Sequence, residues 1–209
     1  MAFCELISDS RDKKFVIVTG GGRTARSYQN AARKIIGEKY GEEALDWLGI
    51  AATKLNAILI ETLLEPIACP YIVDREPDRK AKQTFLESDK TVLMACGWEP
   101  GWSTDYVAAS CAGIFGAKEI IVVGDTAFVC DKDPHKHTDA RQIKAINWPD
   151  YKMLIPSEWK PGMSAPIDPI AARLSMELGL TAKIVGPSIK SIRNAIYGRP
   201  FEGTTISPV

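Results

Sequence analysis

Short apolar runs, each followed by a segment with helical periodicity, constrain the fold of this chain more than any other feature. Phe15–Val18 (FVIV), Thr91–Ala95 (TVLMA) and Glu119–Val123 (EIIVV) are runs of strand length with almost no polar interruption. Such runs are typical of strands buried on both faces of a parallel sheet, because a solvated face would need alternating polar residues. The alternation of strands and helices therefore predicts an α/β fold with helices on both faces of a mostly parallel sheet.

Two long helices are predicted between the first two strands. The first, Arg23–Lys39, carries Ala25, Tyr28, Ala32, Ile35 and Ile36 on one face. The second, Glu42–Leu64, has a wide apolar stripe that we interpret as buried or as a subunit contact: Leu45, Leu48, Ala52, Leu55, Leu59 and Leu63.

The rest of the chain continues the alternation. The further predicted elements are a short helix within Asp74–Lys90, helices at Asp105–Phe115, Asp168–Leu178 and Ser188–Tyr197, and strands at Thr181–Val185 and Gly203–Ser207. Asp125–Asp150 is predicted to be irregular. We expect residues 1–209 to form a single domain, since this length suits one α/β core.

Charge and composition exclude several classes of protein. The 26 Lys and Arg residues balance 26 Asp and Glu residues, which argues against a binder of nucleic acid or of a membrane surface. The longest apolar stretch, Val107–Ala117, is too short to span a bilayer. The five cysteines are odd in number and form no Cys-x-x-Cys pair, so we expect a reducing compartment and neither disulfides nor a zinc site. The N-terminus also lacks the pattern of a signal peptide, and we predict a soluble cytoplasmic protein.

Ligands of parallel α/β sheets bind at the carboxyl ends of the strands, where three unusual loops occur. The first is the turn Thr19–Gly22 (TGGG), which opens a helix carrying Arg23 and Arg26. Glycines at a helix N-terminus allow backbone N–H groups to approach an anion. The same glycines also suit a simple tight turn, because neither standard phosphate-binding motif is complete.

The other two loops also allow two interpretations each. Gly97–Asp105 (GWEPGWSTD) could grip a ring or a sugar with its tryptophans, or could only cap the next helix through Ser103, Thr104 or Asp105. Aspartates in Gly124–Pro134 could orient cations or ribose hydroxyls, although surface turns also collect them. We interpret His135 and His137 as solvated surface residues rather than as a metal-binding pair.

Several motifs together resemble one family. In order and at matching separations, the chain contains VIVTGGGRTAR, LDWLGIAATKLNA, GWEPGWSTD, DKDP, SEWKPGMSAPIDPIAA and GTTI. Together these resemble the uridylate (UMP) kinases of the amino acid kinase superfamily, and the archaeal-type branch above all. The resemblance implies a three-layer αβα sandwich around a mostly parallel sheet. It also implies transfer of the γ-phosphoryl group of Mg·ATP to UMP, and assembly as a hexamer built from dimers.

The resemblance also assigns site residues. It implies UMP binding by Gly21, Asp46, Trp98, Glu99, Pro100, Gly101, Trp102, Ser103 and Thr104, with Asp46 on the ribose. It implies ATP binding by Gly22, Arg26, Gly124, Asp125, Cys130 and Asp133. Asp105 resembles the aspartate that orients phosphate-binding lysines, and Lys160 is a candidate partner of the transferred phosphate; these two are the predicted catalytic residues. The family's histidine after Pro-Gly is Trp102 here, and its first threonine is Ser103.

The donor side departs from the family pattern in two places. The family begins with a strand carrying Lys-x-Gly-Gly-Ser, whereas this sequence starts at the following helix, with Phe3, Leu6 and Ile7 on its apolar face. The ATP loop usually reads Asn-x-Asp-Gly-Val-Tyr but here runs from Asp125 to Cys130. Because phosphoryl transfer depends on positioning and on cations, we expect the chain as written to hold UMP yet to transfer phosphate slowly or not at all.

Three hypotheses follow from these patterns. The leading one is a UMP kinase, and the second is a catalytically weak UMP-binding relative with a role in sensing or assembly. A third is a kinase of the same fold with another acceptor. Asp46 and the WEPGWST loop argue against a carboxylate acceptor, which would need a different acceptor loop.

Overall fold

A computed structural model of the chain describes residues 1–37, 41–132, 136–158 and 165–209. It divides into two compact units, Met1–Phe115 and Gly116–Val209. Each unit has its own sheet and helices.

Unit 1 contains a three-stranded parallel sheet and five helices in its described residues. Its elements are α1 (Ala2–Asp9), β1 (Phe15–Val18), α2 (Gly22–Ile36), α3 (Glu42–Leu63), β2 (Ala68–Val73), α4 (Arg79–Glu87), β3 (Val92–Ala95) and α5 (Thr104–Phe115). The strand order is β1-β3-β2. Val18 and Val73 both pair with Ala95, so the carboxyl ends of all three strands lie at one edge.

Strand β3 confirms the interpretation of its apolar run, since every residue from Val92 to Ala95 is buried. It lies between the other two strands and packs in a core cluster that also includes Phe85, Trp98 and Cys111. Burial raises the pKa of the Cys111 thiol to about 12, so Cys111 acts as a small apolar core residue. In α1, Leu6 and Ile7 are buried as predicted.

Strand β2 was not predicted. Its sequence, ACPYIV, contains Pro70, which cannot donate a hydrogen bond to a sheet ladder. The structure accommodates Pro70 because β2 is an end strand of this sheet and because its register against β3 shifts between Ala68 and Ile72. Pro70 itself is exposed. A proline at an end strand and an irregular register are the usual conditions under which strands tolerate this residue.

Helix α2 buries less than its apolar pattern predicted. On α2, Ala25 is buried, but Tyr28 is 62% and Ile35 is 83% exposed. The single-face prediction for this helix was therefore wrong, because α2 packs against α3 through small residues around Ala25.

Helix α3 divides its predicted stripe between two environments. Leu45 and Ala52 are buried, as one of the two interpretations required. Leu55, Leu59 and Leu63 are exposed by 57%, 58% and 48%. The buried residues face the sheet, and the exposed leucines form an apolar outer face together with Ile58.

Unit 2 contains a four-stranded mixed sheet, a short hairpin and three helices in its described residues. Its elements are β4 (Glu119–Val123), β5 (Val129–Cys130), β6 (Gln142–Ile143), β7 (Ala145–Asn147), α6 (Trp148–Leu154), α7 (Pro169–Glu177), β8 (Thr181–Val185), α8 (Ile189–Ile196) and β9 (Gly203–Ser207). The sheet order is β4-β8-β9-β7. The β4–β8 and β7–β9 pairs are parallel, whereas β8 and β9 are antiparallel.

The segment predicted to be irregular, Asp125–Asp150, holds three very short strands and the start of α6. Strands β5 and β6 form an antiparallel pair of two residues each. Strands this short carry no detectable periodicity in the sequence, so they were missed. Outside that segment, the strands and helices predicted for this unit are confirmed within a few residues. The α/β class is confirmed for both units; the pairs of unit 1 are parallel, and the described residues of unit 2 form two parallel and two antiparallel pairs, so parallel pairing predominates over the chain as a whole. No helix in the described ranges combines the length and apolar character that a membrane span requires.

Candidate active site

The glycine turn after β1 is held at the carboxyl edge of the unit 1 sheet. Thr19 N donates to Ala95 O at 3.1 Å, which extends the β1–β3 pairing by one residue. Gly22 has φ +56°, a conformation that favours glycine, and it begins α2. No side chain in the described structure caps the amino end of α2. Backbone N–H groups at such a helix start can bind an anion, which was one of the two interpretations of this turn, and anion binding stays a prediction.

Gly21 also has a packing role that the sequence did not reveal. A Cβ at this position would lie 2.5 Å from Ala25 Cβ and 3.4 Å from Gly49 O of α3. Glycine therefore allows the turn to approach α3 closely. Its predicted contact with UMP stays a prediction beside this structural reason.

Asp46 and the loop after β3, both predicted to bind the acceptor, lie together. Asp46 is on α3, and its Oδ2 accepts a hydrogen bond from Gly101 N at 3.0 Å. Both residues are partly exposed. One side chain of α3 thus fixes the position of the loop that the sequence placed around UMP.

The loop turns at Pro100 and Gly101. Trp102 N donates to Glu99 O at 3.2 Å, and Gly101 has φ +84°. Proline followed by a glycine of positive φ is typical of a type II β-turn. The Pro-Gly pair therefore sets the direction in which the loop leaves β3.

The two tryptophans have different environments. Trp98 is 4% exposed and donates from Nε1 to Val73 O at 3.3 Å, so the structure assigns it to the core. Trp102 is partly exposed, and its ring lies 4.9 Å from that of Tyr106 on α5. Only Trp102 thus offers an accessible aromatic surface in this loop, and direct contact of either ring with a ligand stays a prediction.

The end of the loop also caps α5, as the alternative interpretation required. Ser103 Oγ accepts a hydrogen bond from Tyr106 N at 3.0 Å. Thr104 and Asp105 form the first turn of the helix, where a carboxylate is favoured by the helix dipole. Capping and ligand binding are compatible, because the cap uses only the Ser103 hydroxyl and the other residues of the loop remain at the sheet edge.

Two residues of α3 that join the site were missed in the sequence. Thr53 Oγ1 accepts from Gly97 N at 2.8 Å, and Thr53 O accepts from Thr19 Oγ1 at 2.9 Å. Asn56 Nδ2 donates to Gly20 O at 2.7 Å. Asp46, Thr53 and Asn56 follow at intervals of seven and three, which place them along one side of the helix. Polar residues on the sheet-facing side of an apolar helix were the available signal.

A charged cluster at the carboxyl end of β2 was also missed. Lys54 Nζ lies 2.8 Å from Asp74 Oδ2, and Arg75 Nε lies 3.4 Å from Asp74 Oδ1. The hydrogen bond from Lys54, together with its charge, lowers the pKa of the Asp74 carboxyl. The hydrogen bond to Asp74, together with the charge of its carboxylate, raises the pKa of Lys54. Sequence reasoning missed Asp74 because it missed the strand that precedes it.

The donor loop belongs to unit 2 and follows β4. Gly124 N donates to Val185 O at 3.0 Å, and Asp125 is exposed. Val129 N donates to Thr204 Oγ1 at 2.9 Å, which joins the loop to β9. Cys130 is partly exposed, and burial followed by the charge of Asp131 raises the pKa of its thiol.

The GTTI motif has a structural explanation in this unit. A Cβ at Gly203 would lie 2.1 Å from Ile184 O, so only glycine lets β9 pair with β8 here. Thr204 is fully buried; it accepts from Val129 N and donates to Ile143 O. The motif therefore joins β9 to Val129 of the donor loop and to Ile143 of β6.

The remaining predicted residues are either exposed or outside the described structure. Arg26 is exposed on the first turns of α2, as is Arg23, and both make no ion pair within the described ranges. Asp133 and Lys160 lie outside the described residues. Among the residues that are described, no three His, Cys, Asp or Glu side chains cluster closely enough to hold a metal ion.

Comparisons with known proteins identify the family of the chain. Residues 1–186 match the model of the amino acid kinase family. The uridylate kinase of Pyrococcus abyssi is 33% identical over 206 residues, which cover 98% of this chain and 88% of that protein. The crystal structure of uridylate kinase from Archaeoglobus fulgidus superposes with a TM-score of 0.82 at 27% identity, covering 98% of this chain and 90% of that one.

The fold extends to more distant proteins. The aspartate kinase of Synechocystis superposes with a TM-score of 0.73 at 16% identity over 37% of its own chain, which shows a shared fold. This chain belongs to the amino acid kinase family. The resemblance to the archaeal uridylate kinases, stated from its motifs, is confirmed, and the chain is therefore a phosphotransferase homologue.

Proposed function

We propose that this chain is a uridylate kinase that transfers the γ-phosphoryl group of Mg·ATP to the phosphate of UMP. The observation that carries the proposal is the contact between Asp46 and Gly101, which joins the two parts of the acceptor motif. Relatives at 30–33% identity over 98% of the chain are named uridylate kinases, which supports the same acceptor.

The acceptor site supplies groups suited to a nucleoside monophosphate. An aspartate carboxylate has two oxygens and about four acceptor positions, so Asp46 can hold Gly101 and still accept from ribose hydroxyls. The uncapped amino end of α2 and the exposed Arg26 offer positive charge for phosphate groups. Trp102 offers an aromatic surface beside the turn.

The reaction needs positioning more than covalent chemistry. An oxygen of the UMP phosphate bonds to the γ-phosphorus while the bond from that phosphorus to the β–γ bridging oxygen breaks, which yields UDP and ADP. The chain's contribution is to align these atoms and to offset their negative charge. Magnesium enters with ATP as part of the substrate, since Mg²⁺ is usually held by substrate phosphates with only one or two carboxylates.

A coupled assay of ADP release tests the proposal. With Mg·ATP, we expect turnover to depend on UMP and to be much slower with CMP, AMP or GMP at equal concentration. Calorimetry with the same four nucleotides gives binding separately from turnover. Equal or absent binding of all four would refute the choice of UMP.

One alternative has an observation in its favour. The donor loop carries the charge of Asp125 and the small side chain of Cys130 where the family has asparagine and tyrosine. A relative that holds UMP for sensing or assembly, with weak catalysis, would show these changes. Selective UMP binding without UMP-dependent ADP release would favour this alternative over the kinase.

We also propose that the chain assembles into homo-oligomers, as a hexamer built from dimers, through the outer face of α3. Leu55, Ile58, Leu59 and Leu63 are each at least 44% exposed along one side of this helix. Large contiguous apolar patches on a protein surface mark contacts with partners. Burial of this face against a second copy would remove it from water.

Light scattering distinguishes this assembly from a 22.9 kDa monomer. Leu59→Lys places a charge in the apolar face and should dissociate the oligomer. Gln83→Lys makes the same charge change at an exposed position of α4 and should leave the mass unchanged. A monomeric wild-type chain at micromolar concentration would contradict the proposal.

We further propose a cytoplasmic location. All five cysteines are free, three of them buried, which is typical of proteins from reducing compartments. Fractionation of cells that express the tagged chain would test this location.

A further inference from the structure

Thr53 of α3 contacts both loops of the acceptor site. Its Oγ1 accepts from Gly97 N at 2.8 Å, at the start of the loop after β3. Its carbonyl oxygen accepts from Thr19 Oγ1 at 2.9 Å, at the start of the glycine turn after β1. The two loops follow the neighbouring strands β1 and β3, and Thr53 forms a hydrogen bond with each loop.

The Thr53 hydroxyl both donates and accepts a hydrogen bond. Thr53 is 6% exposed, and its Oγ1 donates to Ile50 O at 2.7 Å while it accepts from Gly97 N. Because the hydroxyl hydrogen is held by Ile50 O, a lone pair of the oxygen is left to accept from the loop. Gly97 is itself buried. If the Thr53 acceptor were removed, the Gly97 N–H would have neither this hydrogen bond nor a water molecule to replace it.

The approach of the loop to α3 is close. A Cβ at Gly97 would lie 3.2 Å from Thr53 Oγ1 and 3.2 Å from Ile50 Cγ1. Thr53 Cγ2 lies near the glycine turn, 3.7 Å from where a Cβ of Gly21 would be. Thr53 therefore uses its hydroxyl for one loop and its methyl group and carbonyl for the other.

We propose that Thr53 is a positioning residue for the acceptor nucleotide, acting through Gly97 and Thr19 rather than by contact with the substrate. This inference rests on the proposed function. The Asp46–Gly101 bond fixes the loop in its middle, and the Thr53–Gly97 bond fixes it where it leaves β3. Both bonds come from α3, so the helix sets the geometry of the loop relative to the glycine turn.

Two substitutions separate the parts of this role. Thr53→Val keeps the shape but removes the hydroxyl, whereas Thr53→Ser keeps the hydroxyl and removes the methyl group. Without the hydroxyl, the fraction of molecules with a binding-competent loop falls, and the apparent affinity for UMP falls with it. We expect Thr53→Val to raise the KM and Kd for UMP about tenfold, with the KM for ATP within about twofold of wild type. Thr53→Ser should restore most of the UMP affinity.

Ser10→Ala is the matched control for a purely structural loss. Ser10 is a buried hydroxyl that donates to Leu6 O at 2.8 Å, and it precedes the amino end of β1, opposite the acceptor loops. It should lower the melting temperature without a selective change in the UMP KM.

The outcomes distinguish the inference from the function on which it rests. If the wild-type chain does not bind UMP, the proposed function fails. If the wild-type chain binds UMP and the Thr53→Val variant binds it equally well, the positioning role is wrong. The role is also wrong if Thr53→Val raises the KM for UMP and the KM for ATP by the same factor. A UMP defect as large in Thr53→Ser as in Thr53→Val would also overturn it, because keeping the hydroxyl would then make no difference. Should Thr53→Val fail to fold, Thr19→Val tests the second bond with the same readouts.

Discussion

The carboxylate of Asp46 accepts a hydrogen bond from the backbone of Gly101, 55 positions further along the chain. The bond joins the first turns of α3 to the Pro-Gly turn after β3. Because the loop is anchored at Gly101, the residues on either side of the turn have defined positions at the sheet edge. The same carboxylate retains acceptor capacity for a ligand hydroxyl.

Replacement of Asp46 tests both of its roles. Asp46→Ala removes the anchor and the proposed ribose acceptor, so we expect UMP binding to weaken by about 1–3 kcal/mol. Asp46→Asn keeps an oxygen for Gly101 N but loses the charge, so it should fall between alanine and wild type. Calorimetry with UMP measures both variants. Equal UMP affinities of the wild type and both variants would show that Asp46 does not contribute to UMP binding.

Gly101→Ala should destabilise the turn without a loss of side-chain contacts. Gly101 has φ +84°, and a Cβ there would meet nothing within 4 Å, so the cost is backbone strain alone. We expect a loss of about 1–2 kcal/mol in the free energy of unfolding. Gly20→Ala is the control, since its Cβ also meets nothing and its φ is not positive. Urea unfolding of the two variants should separate them, and similar stabilities would contradict the role of the positive φ.

The placement of the site was predictable because it follows from sheet topology. Buried runs such as Val92–Ala95 identify parallel strands, and parallel strands end at a common edge where loops meet. The sequence could not reveal β2, because Pro70 breaks its pattern, and with β2 it missed Asp74. The polar side chain of Thr53 within an apolar helix was a signal, but its role depends on Gly97, which lies 44 positions further along the chain.

The amino-acid composition of the acceptor loop did not predict which of its two tryptophans is exposed. Trp98 and Trp102 are four positions apart in a polar loop, and both were candidates for an accessible surface. The structure buries Trp98 against Val73 and leaves Trp102 partly exposed. That difference depends on β2 and the core around Phe85, which are distant in sequence.

The ion pair between Lys54 and Asp74 should make stability depend on pH in the acidic range. Its hydrogen bond lowers the pKa of Asp74 in the folded state, so its contribution is present above the ordinary aspartate pKa of about 3.9. The contribution is lost as the pH falls through the lowered value, because a protonated Asp74 no longer attracts Lys54. Asp74→Asn should therefore melt at a lower temperature than wild type at pH 6, with the difference vanishing in strong acid.

The size and control of this effect follow from exposure. The Lys54 and Asp74 side chains are 49% and 33% exposed, so solvent screens the pair and the difference should be small. Asp139→Asn removes a partner of Lys132 that is 75% exposed, and it should change the melting temperature less. A melting-temperature difference between Asp74→Asn and wild type that does not shrink as the pH falls through the acidic range would contradict the ion-pair explanation.

The donor loop gives a prediction that depends on charge alone. Asp125 is exposed after β4, at the position where the resembled ATP loop has asparagine. If this loop contacts ATP as proposed, its carboxylate repels the triphosphate, and Asp125→Asn removes the charge without a change in size. In a solvated setting the gain should be about 1 kcal/mol or less, so the KM for ATP should fall by up to about fivefold. Raising the salt concentration should reduce the difference, since exposed charges are screened.

Glu177→Gln makes the same charge change at an exposed position of α7 in unit 2 and should leave the KM for ATP unaltered. Steady-state kinetics at low and high salt would decide it: an unchanged or raised KM for ATP in Asp125→Asn would place the donor nucleotide away from this loop.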